Sequence, residues 1–224
     1  MSIEKNLNEI KQNIASACKK SGRKEDVLIL AVTKTIDADR INEEIRLGIT
    51  DIGENRVQEL LKKYDLVDKS VRWHLIGHLQ TNKVKYIADK VCMIHSVESY
   101  DLAKEIENRC SKIDKVMDIL VEVNVSGEES KSGITPDETE EFIRSICQFK
   151  HLKVKGLMTM APFGAENDEL HQIFSDLYKI SVDISQKKLD NVSMEHLSMG
   201  MTGDYEVAVE ENSTIVRIGT GLFK

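Results

Sequence analysis

Eight short apolar runs recur along the chain, at residues 27–33, 49–52, 71–76, 91–95, 117–125, 154–160, 194–199 and 213–218. Between them lie stretches with helical periodicity, near 38–48, 54–68, 79–89, 98–113, 136–149, 167–187 and 203–211. Regular alternation of this kind predicts a parallel sheet covered by helices, and eight is the number of strands that closes a barrel. Val27 to Val32 and Ile119 to Val125 are hydrophobic almost throughout, as strands buried on both faces are. A doubly wound open sheet is the alternative. Ahead of the first strand, Ile3, Leu7, Ile10, Ile14, Ala17 and Cys18 fall at helical spacing and stop before Gly22, an ordinary C-cap. The expected fold is α/β, a single TIM-type (β/α)8 barrel with an extra N-terminal helix. Pro136 and Pro162 are the only prolines and no Gly/Ser-rich linker divides the chain, so residues 1–224 are expected to form one domain.

Charge and cysteine usage exclude several functions. A net charge of −7 argues against a general grip on nucleic acid, and the pairs Lys19-Lys20 and Lys187-Lys188 read as solvated helix ends. No apolar run reaches the roughly 18 residues that span a bilayer, and the first residues lack the basic-then-apolar order of a signal peptide. Cys18, Cys92, Cys110 and Cys147 are far apart, which fits reduced thiols in a cytoplasmic protein better than zinc or disulfides. His74 and His78 have the i, i+4 spacing of a helical metal pair, yet they sit in a strand-then-turn segment without an intervening glutamate. No metal is expected.

In a barrel, chemistry gathers at the C-terminal ends of the strands. The first strand there runs into Lys34, followed by Thr35 and the helix-opening Asp37. A desolvated lysine at such a place can lose its proton often enough to attack an aldehyde. On this segment alone, a strand-end lysine that snorkels to solvent is the plainer reading. Ser198-Met-Gly-Met-Thr-Gly-Asp204 reads as a strand-to-helix turn, and Arg217-Ile-Gly-Thr-Gly221 as a second small-residue turn. These follow strands seven and eight, where barrels often hold phosphate. Arg217 alternates with Ile215 and Gly219 on one face of the last strand. An internal lysine, a phosphate cradle and an internal arginine suit pyridoxal 5'-phosphate (PLP). Its aldehyde would join Lys34, its phosphate would dock at Ser198, Gly200, Gly219 and Thr220, and its ring nitrogen would face Arg217. An arginine in that role would leave the ring nitrogen unprotonated and weaken the cofactor as an electron sink.

The motifs Ala31-Val-Thr-Lys34, Gly53-Glu-Asn-Arg-Val-Gln-Glu59, Trp73-His-Leu-Ile-Gly-His-Leu-Gln-Thr-Asn-Lys83 and His95-Ser-Val-Glu98 resemble the YggS/PROSC family of pyridoxal phosphate homeostasis proteins. So do Val123-Asn-Val-Ser-Gly-Glu128, Lys131-Ser-Gly133, Gly156-Leu-Met-Thr-Met160, Leu197-Ser-Met-Gly-Met-Thr202 and Ser213-Thr-Ile-Val-Arg-Ile-Gly219. They cover nearly the whole chain in the family's order. The resemblance implies a fold similar to the barrel domain of alanine racemase, a Schiff-base lysine at Lys34, a ring-nitrogen arginine at Arg217, and phosphate contacts at Ser198, Gly200, Gly219 and Thr220. It adds Asn55, His78 and Met199 as further cofactor-site residues. Two departures stand out: Glu98 where the family more often has aspartate, and Asn212 where glycine is usual. Asparagine tolerates a left-handed backbone, so the second should keep its turn.

A racemase of this architecture needs a second acid or base facing the lysine, which in alanine racemase is a tyrosine from a separate C-terminal domain. This chain ends at Lys224, just after the eighth strand, so that domain is expected to be missing. Tyr64, Tyr86, Tyr100 and Tyr178 fall in or beside predicted helices, and Tyr205 opens the helix after the phosphate turn. The expectation is a PLP-binding protein of intracellular PLP homeostasis (storage, buffering or delivery) without robust catalytic activity. It would be a monomer, with apo-PLP enzymes as candidate partners and no nucleic-acid or membrane partner. The competing readings are a small PLP-dependent amino-acid racemase with Lys34 as base, and a phosphate-binding barrel without PLP.

Overall fold

The computed structural model describes residues 2–23, 26–128 and 131–224. Eight parallel strands close on themselves in chain order, with β8 pairing back onto β1. They are β1 (Leu28–Val32), β2 (Asp51–Glu54), β3 (Arg72–Leu75), β4 (Met93–Val97), β5 (Met117–Glu122), β6 (Leu152–Met158), β7 (Val192–Met201) and β8 (Ile215–Ile218). The closed barrel rules out the open doubly wound sheet. The helices are α1 (Ile3–Ser21), α2 (Ala38–Arg46), α3 (Val57–Tyr64), α4 (Tyr100–Ser111), α5 (Thr139–Ile146), α6 (Asn167–Gln186), α7 (Tyr205–Glu210) and α8 (Thr220–Phe223). The expected N-terminal helix is α1, capped by the Ser2 hydroxyl at Lys5 N and closed by Gly22 in the left-handed region. No described helix is long and apolar enough to cross a membrane.

Four segments depart from the sequence reading, the first being β2, expected at 49–52 and found at Asp51–Glu54, where it pairs with β1 and β3. Residues 79–89 form only a 3-10 turn, Thr81–Tyr86, whose N-terminus has no side-chain cap. Past its end, Lys115 Nζ takes the Ala88 and Val91 carbonyls at 2.7 and 2.6 Å, so those acceptors need no longer helix. Strand β7 begins earlier and ends later than 194–199, because pairing with β6 and β8 extends it past its apolar stretch. Thr220 and Gly221, read as the end of the small-residue turn that starts at Arg217, instead open the short α8.

Two apolar layers follow from strand alternation. Leu30, Ile76, Met93, Leu120, Met158 and Ile215 fill the barrel, while the larger cluster lies between sheet and helices and includes Ile52, Trp73, Ile119 and Val216. Register carries polar groups inward as well. Gly53 pairs with His74, and His74 with Met93; Leu30 pairs with Arg217. Asn212 has φ 71, the left-handed conformation that its replacement of glycine requires. It leads into Ser213, whose buried hydroxyl donates to Met199 O at 2.7 Å.

Glu44 on α2 is wholly buried and neither carboxylate oxygen has a partner. Burial pushes its carboxyl up to about 8, against the pull of Arg40. A folded-state value above the unfolded one means stability is full below about pH 4.5 and is lost as pH rises towards 8. Glu44→Gln is therefore expected to leave the melting temperature unchanged at acid pH. At pH 8 it should raise stability by about 2–3 kcal/mol, or about 5–10 °C, in scanning calorimetry.

Candidate cofactor site at the barrel mouth

The C-terminal ends of the strands bring the predicted residues to one rim. Lys34 lies in the turn two residues beyond Val32 and is exposed, as the plainer reading of a strand-end lysine has it and not as a desolvated, internal lysine would be. Among the described residues no acceptor holds its Nζ. What is fixed is the chain beneath it. Lys63 Nζ on α3 donates to Thr33 O at 2.7 Å and to Glu54 Oε1 at 2.7 Å, and Thr33 Oγ1 donates to the same carboxylate oxygen.

Asn55 follows β2 on the inward face, two residues past Gly53, whose Cβ direction points at Leu30 and Ile76 inside the barrel. Its Oδ1 is buried and unpartnered. Gly77 packs so closely that a Cβ there would run into the Asn55 carbonyl. Such an orphaned acceptor is uncommon in a folded interior and fits a site that a ligand completes. His78 Nδ1 lies 2.8 Å from Glu98 Oε1, while Glu98 Oε2 accepts from Gly133 N at 2.8 Å. The Glu98 departure thus ties the β3, β4 and β5 loops together at the rim. Glu129 and Ser130 of the polar loop after β5 lie outside the described residues.

Arg217 is 4% exposed, as its inward register demands. Its Nη1 donates to Ser198 O and Oγ at 2.7 and 2.8 Å, and its Nη2 to Thr159 O at 2.9 Å. Burial pushes the guanidinium down to about 10, opposed by Asp204 and Glu122, so it keeps its proton at neutral pH. The strand reaches through Gly200 to Met201, so the turn after β7 is shorter than expected and comprises Thr202 to Asp204. Gly200 has φ 92, and a Cβ there would lie 2.6 Å from Ala208 Cβ. Gly219 precedes α8, and Gly221 N donates to Thr202 Oγ1 at 3.2 Å, joining the two small-residue turns. Thr220 is exposed there. Met199 does not bring its side chain to this face. It is fully buried in the layer between sheet and helices, so only its main chain can serve the mouth. Ser198 is fully buried too, with its hydroxyl already engaged by Arg217 and by His95 Nδ1 at 3.0 Å.

Two mouth residues escaped the sequence reading. Glu122 ends β5 on the inward face, two residues after Leu120, and burial together with the Glu98 charge pushes its carboxyl up to about 7. His95 lies within the barrel and is fully buried. Strand parity could have found both, once Leu120 and Met93 were set inside. All five tyrosines stand on the outer helices or the 3-10 turn. The Tyr205 hydroxyl accepts from Asn13 of α1 at 2.9 Å, which turns it away from the barrel interior.

The closed parallel barrel and the sequence together place the chain in the alanine racemase N-terminal domain family, which matches residues 6–224. Within this class, the chain belongs to the family of pyridoxal phosphate homeostasis proteins (YggS/PROSC). The pyridoxal phosphate homeostasis protein of Aquifex aeolicus is 43% identical over 97% of this chain and 95% of its own length. A protein of unknown function from Bifidobacterium adolescentis, solved by crystallography, superposes with a TM-score of 0.94 at 35% identity, covering 99% of this chain and 94% of that one. PipY of Synechococcus elongatus, solved with PLP bound, superposes with a TM-score of 0.86 at 28% identity, with both chains covered in full.

Proposed function

We propose that this chain binds PLP at the barrel mouth, held covalently through Lys34 as a Schiff base, and serves PLP homeostasis by storage, buffering or delivery without turning over amino acids. The observation that carries the reading is Arg217: a buried guanidinium fixed by three neutral oxygens, on the strand next to the one that leads into Lys34. PLP bound there would supply an electrophilic carbonyl and an electron-withdrawing ring. Arg217 would donate to the ring nitrogen and deny it a proton, so carbanion chemistry is weakened. Asn55 would gain a partner for its orphaned Oδ1. Main-chain groups around Gly200, Gly219 and Thr220 would hold the phosphate, with Ser198 and Met199 contributing through their backbone. His78, tied to Glu98, would bound the site on the β3 side. A racemase needs a second acid or base opposite the lysine, and the Tyr205 hydroxyl is committed to α1. The same reading makes residues 1–224 one domain acting as a cytoplasmic monomer, with apo-PLP enzymes as recipients.

The test is reduction of the PLP-loaded protein with borohydride, followed by peptide mapping. Modification confined to Lys34 supports the reading, whereas a colourless, unmodified protein leaves a phosphate-binding barrel without PLP. Incubation with an apo-PLP enzyme while free PLP is trapped then separates delivery from storage. Stereospecific loss of an added L-amino acid at rates typical of PLP enzymes would instead establish the racemase.

A further inference from the structure

The barrel interior holds an unbroken line of hydrogen bonds that runs beneath the mouth. Arg217 Nη1 lies 2.8 Å from Ser198 Oγ, and Ser198 Oγ 3.0 Å from His95 Nδ1. His95 Nε2 is 2.9 Å from His74 Nδ1, and His74 Nε2 is 2.8 Å from Asp51 Oδ1. All five side chains are at most 4% exposed, so water cannot repair a misplaced proton.

The line has one consistent polarity. Asp51 Oδ2 accepts from Arg72 Nη2 at 2.9 Å and from Thr50 Oγ1 at 2.6 Å. Burial would raise the Asp51 carboxyl, but the hydrogen bonds from His74, Arg72 and Thr50 bring it down to about 2, so it is an acceptor only. His74 must then carry its proton on Nε2, leaving Nδ1 to accept from His95 Nε2. His95 Nδ1 in turn accepts the Ser198 hydroxyl proton, and Ser198 Oγ accepts from Arg217. Burial drives protonation of His95 well below its ordinary range, in keeping with a neutral ring. The opposite order would leave the Ser198 hydroxyl proton without an acceptor, since its oxygen makes only these two side-chain contacts among the described residues.

Asp51, His74 and Cys92 also present three metal-ligand atoms within 4.8 Å of one another. Arg72 already occupies the Asp51 carboxylate, and Lys115 lines the same cavity as Cys92. A cation there would meet two positive charges, so the cluster serves the hydrogen-bonded line.

We propose that Asp51, His74 and His95 are positioning residues for Arg217: the carboxylate below the mouth sets the proton order along the line and thereby locks Ser198 and the guanidinium in one arrangement. The Ser198 hydroxyl then points its proton into the barrel and is withheld from any phosphate. The functional consequence rests on reading Arg217 as the ring-nitrogen contact.

Long-range proton–nitrogen spectra of the 15N-labelled protein without PLP test the line by itself. His74 and His95 should both appear as Nε2–H tautomers. A doubly protonated ring, or an Nδ1–H tautomer at either position, overturns the proposal and needs no variant. In Asp51→Asn, Arg72 and Thr50 attract the amide oxygen and turn its NH2 toward His74, so both rings should switch to Nδ1–H even though the Ser198 hydroxyl then gives up its acceptor. Rings that both stay Nε2–H show that Asp51 does not set the order and overturn the proposal. A switch at His74 that leaves His95 unchanged also overturns it. In PLP titrations followed by absorbance, His95→Phe should weaken binding about tenfold, or about 1.4 kcal/mol, while Lys34 remains the modified residue. Unchanged affinity refutes the positioning role. If the native protein binds no PLP, the cofactor reading fails and the tautomer pattern still stands or falls alone.

Discussion

Lys34→Ala is expected to abolish both the visible absorption of the PLP-loaded protein and its modification by borohydride, while leaving the melting temperature within about 2 °C of the parent. The first outcome follows from chemistry: an alanine has no amine to add to an aldehyde. The second follows from surroundings. Lys34 is exposed, and no described acceptor holds its Nζ, so truncation removes no internal contact; substitutions of this kind stay within about 0.5 kcal/mol. The turn survives because its anchor lies one residue earlier, where the Thr33 carbonyl accepts from Lys63 at 2.7 Å and from Ile36 N at 3.0 Å. Lys131 provides the internal control. It is another lysine of the mouth loops, paired with Glu128 and donating to Met160 O. Persistence of the band, or migration of the borohydride adduct to Lys131, would remove Lys34 from its assigned role. Absorbance, peptide mapping and calorimetry on one preparation decide it.

Much of the barrel was legible in sequence because strands buried on both faces read as apolar runs between helical stretches, but β2, read at 49–52, runs Asp51–Glu54 and carries two buried carboxylates. Boundaries were less legible where pairing, not composition, decides them. Strand β7 includes the polar Ser193 and Glu195, and only its ladders to β6 and β8 make it a strand there. Helix α8 is four residues long, too short to show a period. Lys34 and Arg217 were found because each is an unexpected charge at the end of an apolar run. His95 and Glu122 were missed because their meaning depends on register. His74 drew notice for its spacing to His78, but the partners that matter are Asp51 and His95, on the two neighbouring strands. Asn55 illustrates the remaining limit: the motif names the residue, but that its buried Oδ1 has no partner shows only in the folded chain.

Lys63→Met is expected to destabilise the protein by about 3–5 kcal/mol, lowering the melting temperature by about 10–15 °C. Glu54 is fully buried, its Oε2 has no partner, and Oε1 is held only by Lys63 and Thr33. Removing the ammonium leaves a carboxylate in an apolar layer with one hydroxyl for company. The fold must then either bear that charge or protonate it, and both are costly. Glu54→Gln alone should cost less, because the amide is neutral and can still accept from Lys63. The double variant Lys63→Met/Glu54→Leu should recover much of the loss, since two apolar side chains need no partners. A thermal-melt double-mutant cycle measures this directly, and additive single effects would mean the pair is not coupled. The same cycle bears on the mouth. Lys63 also holds the carbonyl of Thr33, the residue before Lys34. Loss of the ammonium should therefore loosen that turn and slow covalent attachment at Lys34, even in the double variant that regains stability. If attachment in the double variant proceeds at the native rate, the pair serves stability alone and Lys34 is placed by other contacts.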